Sequence, residues 1–122
     1  MKYLYISKRT KEDLVLSKLP TTHILSSYKN IKKGSEKRWG FFLLDKEKNE
    51  IVGVCSVIEE KEGNVKYLLL EFIFIDEQYR RKNQCYELIK RTVIKYQKKG
   101  GKLIKVVIAG REQILKCVIK VF

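Results

Sequence analysis

Leu68 to Ile89 reads LLLEFIFIDEQYRRKNQCYELI. From Leu68 to Ile75 the residues are aliphatic or aromatic, with a single acid, Glu71, among them. That composition and length predict a buried strand. Asp76, Glu77, Gln78 and Tyr79 then make a short polar loop, and three adjacent cations follow: Arg80, Arg81 and Lys82. From Asn83 onward, Cys85, Leu88, Ile89, Val93 and Tyr96 fall at helical spacing. A strand that runs through a loop into a helix N-terminus makes a phosphate-binding site. The first N–H groups of a helix lack intrahelical acceptors, and the dipole there favours negative charge. The three cations strengthen that field.

Working outward, Lys2 to Ser7 alternates and predicts a strand. Thr10 caps a predicted helix with an acidic first turn, Glu12 and Asp13, that ends before Pro20. Thr22 to Lys32 predicts a second helix, with Ile24, Leu25, Tyr28 and Ile31 in its apolar stripe. Trp39 to Leu44 and Glu50 to Glu59 are β-rich runs joined by a hairpin at Asp45 to Asn49. A second turn at Glu62, Gly63 and Asn64 leads into the strand Val65 to Asp76. The helix from Asn83 stops at Lys98, Lys99, Gly100 and Gly101. Leu103 to Ala109 predicts a strand buried on both faces, and Glu112 to Val121 a last helix.

The chain of 122 residues is one domain with material for a core, since 44% of its residues are apolar and it has a single Pro. Its formal charge of +13 is uneven. Lys90 to Phe122 holds ten basic residues against one acid, Glu112. Such a surface attracts nucleic acid, acidic headgroups or a polyanionic cofactor; it is equally the pattern of a lysine-rich solvated face. Cys55, Cys85 and Cys117 are widely spaced and form no CxxC pair, which argues against a zinc site and a disulfide scaffold. The expectation is a reduced, intracellular, cytoplasmic protein. The N-terminus lacks the apolar stretch of a signal peptide, and no run is long enough to span a membrane.

Arg80-Arg81-Lys82-Asn83-Gln84-Cys85 after the strand Ile73-Phe74-Ile75 resembles the cofactor motif of the GNAT N-acetyltransferases, [QR]-x-x-G-x-[GA]. The first position fits. Asn83 and Cys85 stand where small residues are usual, and Asn tolerates the left-handed region well. The run Ile51-Val52-Gly53-Val54-Cys55 is similar to the family's x-V-G-x-x strand, and the β-α-α-β-β-β-α-β-α order matches its core. The resemblance implies an α/β (α+β) fold: a mixed, mostly antiparallel sheet of about five strands with helices on both faces. It implies one GNAT-like domain over residues 1–122 that stops short of the family's C-terminal strands. It also implies acetyl-CoA as cofactor, with the pyrophosphate at Arg80, Arg81, Lys82, Asn83, Gln84 and Cys85. The pantetheine arm would lie along Phe74 and Ile75, between splayed parallel strands. The family's last helix carries a Tyr that resembles a general acid for the leaving thiolate. Here Val118 or Cys117 stands in that place.

Acetyl transfer needs a polarised carbonyl, a neutral amine and a departing thiolate. Backbone N–H groups near Phe74 and Ile75 suit an oxyanion-binding role. Glu71 lies nine residues before Arg80, where the resemblance implies a Glu that takes the amine proton. Strict alternation puts Glu71 on one face with Ile73 and Ile75. The alternative is an edge or solvent-facing Glu paired with a Lys. His23 lies across the chain's first loop and reads as a surface or capping residue. Tyr28, Trp39, Phe41 and Phe42 either line an acceptor pocket or fill the core. Two functions stay open: N-acetylation of a small amine, polyamine or protein amine, and a binding module that is an inactive relative or a basic nucleic-acid binder. The partners considered are an amine substrate, nucleic acid through the basic surface, and a second copy in a homodimer; a membrane is not among them.

Overall fold

The computed structural model describes residues 1–10, 22–80, 83–100 and 106–108. The elements are β1 (Lys2–Ser7), α1 (Thr22–Lys33), β2 (Arg38–Asp45), β3 (Glu50–Glu62), β4 (Val65–Ile75), a 3₁₀ turn (Glu77–Tyr79), α2 (Gln84–Lys98) and β5 (Val106–Ile108). They follow the sequence reading closely. The helix expected before Pro20 and the last helix at residues 112–121 lie outside the described residues.

The five strands form one sheet in the order β1-β2-β3-β4-β5. The first four are antiparallel, and β5 runs parallel to β4. Short connections explain the meander. Gly63 at φ 62° opens a two-residue turn between paired Glu62 and Val65, where only a residue free of a Cβ adopts that angle at no cost. At the β2–β3 turn, Asp45 Oδ1 accepts the N–H groups of Glu47 and Lys48, an Asx-type turn. Asn49 takes the left-handed φ of 54° that follows.

Each face of the sheet carries its own core. On one face α2 lays Leu88, Ile89, Val93 and Tyr96 against Trp39, Leu43, Cys55, Val57, Leu68, Leu70 and Ile75. On the other, Ile24 and Ile31 of α1 pack on Leu4, Ile6, Phe42, Ile51 and Val54. The mixed sheet with a helix on each face is the fold class that the resemblance implied. Trp39 and Phe42 are fully buried, and Tyr28 and Phe41 pack against the two cores, so all four aromatics serve packing.

Alternation along β4 breaks at one residue. Val57 pairs with Leu70 and Ser56 with Phe72, so Glu71 is an extra residue opposite the β3 step. Such a bulge reverses the parity of every side chain beyond it. Leu68 and Leu70 face α2, and so do Ile73 and Ile75, whereas Phe72 and Phe74 pack towards the α1 core. The expectation that Glu71 shares a face with Ile73 and Ile75 is therefore corrected. Alternation counts one residue per ladder step, and the bulge supplies two.

The α2 helix is tied to the sheet by polar bonds as well as by its apolar stripe. Tyr3 Oη donates to Gln84 Oε1 at 2.7 Å. Arg91, Lys95 and Lys99 lie over the rings of Tyr3, Tyr5 and Trp39 at 4.1, 4.3 and 5.0 Å, within reach of cation–π attraction. Lys99 Nζ and Trp39 Nε1 both donate to Glu59 Oε2. Arg91 and Lys95, two of the four basic residues of α2, thus rest on tyrosine rings of β1.

Gly40 leaves no room for a side chain beside β3. A Cβ there would sit 2.3 Å from the Cys55 carbonyl oxygen. Backbone on both sides cannot yield as a side-chain tip would. Gly40→Ala should lower stability by about 1–3 kcal/mol or more, read as a drop in the urea midpoint; an unchanged midpoint would contradict this packing.

Candidate functional site

Two features meet on β4, and the first is the end of the strand. Asp76 N–H donates to Val52 O at 2.8 Å, so its backbone faces β3. One residue earlier, Ile75 faces the opposite edge, where its carbonyl accepts Arg80 Nε at 2.8 Å. In a strand the N–H and C=O of one residue project from the same edge. The Ile75 N–H therefore points out of the edge away from β3, and Phe74 N–H points towards β3. Among the described residues, β5 pairs with β4 along Leu68–Leu70. The edge from Glu71 to Ile75 lies beyond that pairing.

The chain then turns through the 3₁₀ segment into α2. Tyr79 is buried, and its hydroxyl donates to Asp45 Oδ2, which fastens the turn to the β2–β3 hairpin. The Asp45 carboxylate in turn pushes the Tyr79 phenol up to about 12. The same bond, with the N–H donors of Lys48 and Glu47 behind it, holds the Asp45 carboxyl below its usual range. Asn83 sits ahead of α2 at φ 59°, ψ 18°, the left-handed conformation that Asn tolerates and that a glycine would hold more cheaply. The first bond of the helix runs from Glu87 N–H to Asn83 O at 3.0 Å. The amides of the first turn point forward from that end.

The second feature is a depression of ≈ 280 Å³ between α1 and the sheet. From α1 it is lined by His23, Ser26, Ser27 and Asn30, and from the sheet by Ser56, Glu71 and Phe72. The bulge puts Glu71 there. Arg38 Nη2 donates to Glu71 Oε2 at 3.1 Å, with both side chains less than one third exposed. Arg38 Nε is buried and has no hydrogen-bond partner. Phe74 connects the two features. The His23 ring lies 5.1 Å from it, and the Arg80 guanidinium lies 5.8 Å from it.

The structure joins Phe74, Ile75 and Arg80 at the end of β4, turns Glu71 into the depression, and puts Asn83, Gln84 and Cys85 at the start of α2. Arg81 and Lys82 lie outside the described residues, as do Val118 and Cys117. Gln84 uses its side-chain oxygen on Tyr3, whose phenol is pushed up by burial first and then by the Glu87 carboxylate. Cys55 is buried, and desolvation raises its thiol to about 12, which suits an inert core residue. Among the described residues no group of His, Cys, Asp and Glu could hold a metal ion, and no helix is long and apolar enough to cross a membrane.

His23, which reads from the sequence as a surface or capping residue, lines the same depression as Glu71. Sequence reasoning also missed Arg38, Ser56 and the polar stripe of α1. A signal for the stripe existed: His23, Ser26, Ser27 and Asn30 recur at the i, i+3, i+4, i+7 spacing of a helix face.

Residues 9–113 match the model of the Acetyltransferase (GNAT) family. No curated protein matches the chain. Among solved structures, a glucosamine-6-phosphate N-acetyltransferase from Arabidopsis thaliana is similar at 12% identity and a TM-score of 0.67. The match covers 99% of this chain and 90% of that one. A ribosomal-protein-alanine N-acetyltransferase from Brucella melitensis biovar Abortus 2308 has 12% identity and a TM-score of 0.64, covering 98% and 88%. A further structure, in complex with the bisubstrate analog CoA-S-monomethyl-acetylneamine, has 15% identity and a TM-score of 0.58, covering 83% and 70%.

The Asp45–Tyr79 bond generates a pH prediction. A carboxyl depressed in the folded state stabilises above its unfolded value, near pH 3.9. That contribution is lost as pH falls through the lower folded value. Between about pH 5 and 2 the wild type should lose stability more steeply than Tyr79→Phe. Parallel denaturation midpoints across that range would contradict the bond.

Proposed function

The chain belongs to the GNAT acetyltransferase family, and from that premise we propose that it is an acetyl-CoA-dependent N-acetyltransferase acting on a primary amine. The observation that carries the proposal is the convergence on β4 of a carboxylate in a polar depression and an outward backbone edge that ends at a helix N-terminus.

The fit to acetyl-CoA rests on this geometry. The first-turn amides of α2, at Gln84 and Cys85, and the cations Arg80, Arg81 and Lys82 suit a pyrophosphate. Asn83 tolerates the tight backbone there without a glycine. The edge at Phe74 and Ile75 suits the pantetheine arm. When bound, acetyl-CoA supplies an acyl thioester whose carbonyl carbon accepts the amine.

The chain's own groups divide the remaining work. The outward N–H of Ile75 is placed to donate to a developing oxyanion, whereas the inward Phe74 N–H serves the ladder with β3. Phe74 contributes its ring as the wall between the two features. Glu71 takes the proton of the incoming ammonium, directly or through one water, at the oxygen that Arg38 leaves open. Arg38 holds the other oxygen and so limits the rotation of the carboxylate.

The alternative of a basic nucleic-acid-binding surface draws on Lys90 to Lys120. Three of those cations lie over aromatic rings of the sheet, which favours a packing role for them.

Two measurements test the proposal. Arg80→Glu should weaken CoA binding at least tenfold in isothermal titration by putting an acid beside the phosphates, while the thermal midpoint changes little. No CoA binding by the wild type at millimolar ligand would refute the cofactor assignment. Glu71→Gln keeps the shape and removes the base. It should lower turnover by about a hundredfold with CoA affinity unchanged; equal turnover would remove Glu71 from the reaction.

A further inference from the structure

The depression under α1 has an unusual charge balance for a site that takes a cation. Among its described lining residues Glu71 is the sole acid. One of its oxygens is already held by Arg38. The pair has no net charge, and the chain around it carries +13. A polyamine, which brings several ammonium groups, would meet one carboxylate whose charge a guanidinium at 3.1 Å already offsets. Like charges at such separations repel strongly where water is partly excluded.

The rest of the lining suits a different ligand. The hydroxyls of Ser26, Ser27 and Ser56 and the amide of Asn30 can both donate and accept. Ser27 and Ser56 are buried, at 5% and 2% exposure. Such a set answers hydroxyl groups and has little to offer a methylene chain. His23 and Phe72, in ring contact with each other, are the aromatic part of the lining, against which the apolar face of a small ring can lie. The volume of ≈ 280 Å³ lies just below the roughly 300–1,000 Å³ of drug-sized sites, so the ligand is small.

We infer that the acceptor is a compact, singly charged amine bearing several hydroxyl groups, of the amino-sugar or amino-alcohol class, and that Arg38 determines this specificity by cancelling the charge of Glu71. The inference rests on the depression being the acceptor side of the proposed transferase. It goes further in assigning Arg38 as the residue that turns polycations away.

The test is a two-dimensional NMR titration of isotope-labelled protein with D-glucosamine and with spermidine, each with and without CoA. Binding is read directly and needs no turnover. Glucosamine should shift the amide signals of Ser27, Ser56 and Glu71, and spermidine should bind at least about tenfold more weakly. In Arg38→Gln the spermidine-to-glucosamine affinity ratio should rise about tenfold. Ser26→Leu narrows the depression from an exposed helix position and should weaken glucosamine while the CoA titration stays unchanged. Spermidine binding as tightly as glucosamine to the wild type would overturn the inference, as would glucosamine that leaves those signals unmoved. An unchanged ratio in Arg38→Gln would remove Arg38 from specificity. Absence of CoA binding with glucosamine binding intact would refute the acetyl-CoA proposal and overturn the acceptor role, leaving the depression a site for the same ligand class.

Discussion

Between Leu70 and Phe72, β4 contains one residue more than the opposing stretch of β3 can pair. A strand alternates its side chains strictly, so an extra residue cannot be absorbed quietly. It exchanges the two faces for everything that follows. Here the strand changes at that point which of its residues it turns to each core. Its first half faces α2 through Leu68 and Leu70, and its second half does so through Ile73 and Ile75. Phe72 and Phe74 go to the α1 side. Glu71 sits at the changeover. It is neither a core residue nor a freely solvated one, because the bulge turns it into the space beneath α1.

That space exists because α1 does not bury a purely apolar face. Ile24 and Ile31 anchor the helix to the sheet. The adjacent stripe of His23, Ser26, Ser27 and Asn30 is polar and looks over β3 and β4. A leucine stripe in its place would close the depression and gain apolar burial. The polar stripe sacrifices some packing and leaves a lined cavity beside a carboxylate. Arg38, at the start of β2, reaches across to that carboxylate. The ion pair is partly exposed, so its weight in stability is modest. Its weight in the electrostatics of the depression is larger, since it decides the net charge that a ligand meets.

The helix end is held by a different set of contacts. Tyr3 bonds Gln84 at the start of α2, and Glu59 joins Trp39 to Lys99 just past its end. Between them, the basic side chains of Arg91 and Lys95 lie over the tyrosines of β1. Tyr79 and Asp45 pin the connecting turn to a hairpin far away in sequence. A helix N-terminus attracts anions whatever its surroundings. Its direction relative to the edge of β4 is a matter of these anchors, and a few ångströms of drift would separate the two halves of the site.

Local chemistry made much of this protein legible from residues alone. The period-2 run of Lys2 to Ser7, the helical spacing of Ile24, Tyr28 and Ile31, and the Gly63 and Gly100 stops each identify an element through interactions spanning a few residues. The strand-loop-helix pattern and the motif at Arg80 to Cys85 pointed to the family, and Glu71 stood out as the one acid in an apolar strand. What the sequence could not determine was which way Glu71 points. That depends on the ladder between β3 and β4, where Ser56 skips Glu71 to pair with Phe72. No local pattern in β4 records that skip, because the count of residues per ladder step belongs to two strands at once. The meeting of His23 and Glu71 in one depression, with Arg38 bonded to Glu71, follows from the same ladder together with the packing of α1, and so only the tertiary structure decided it.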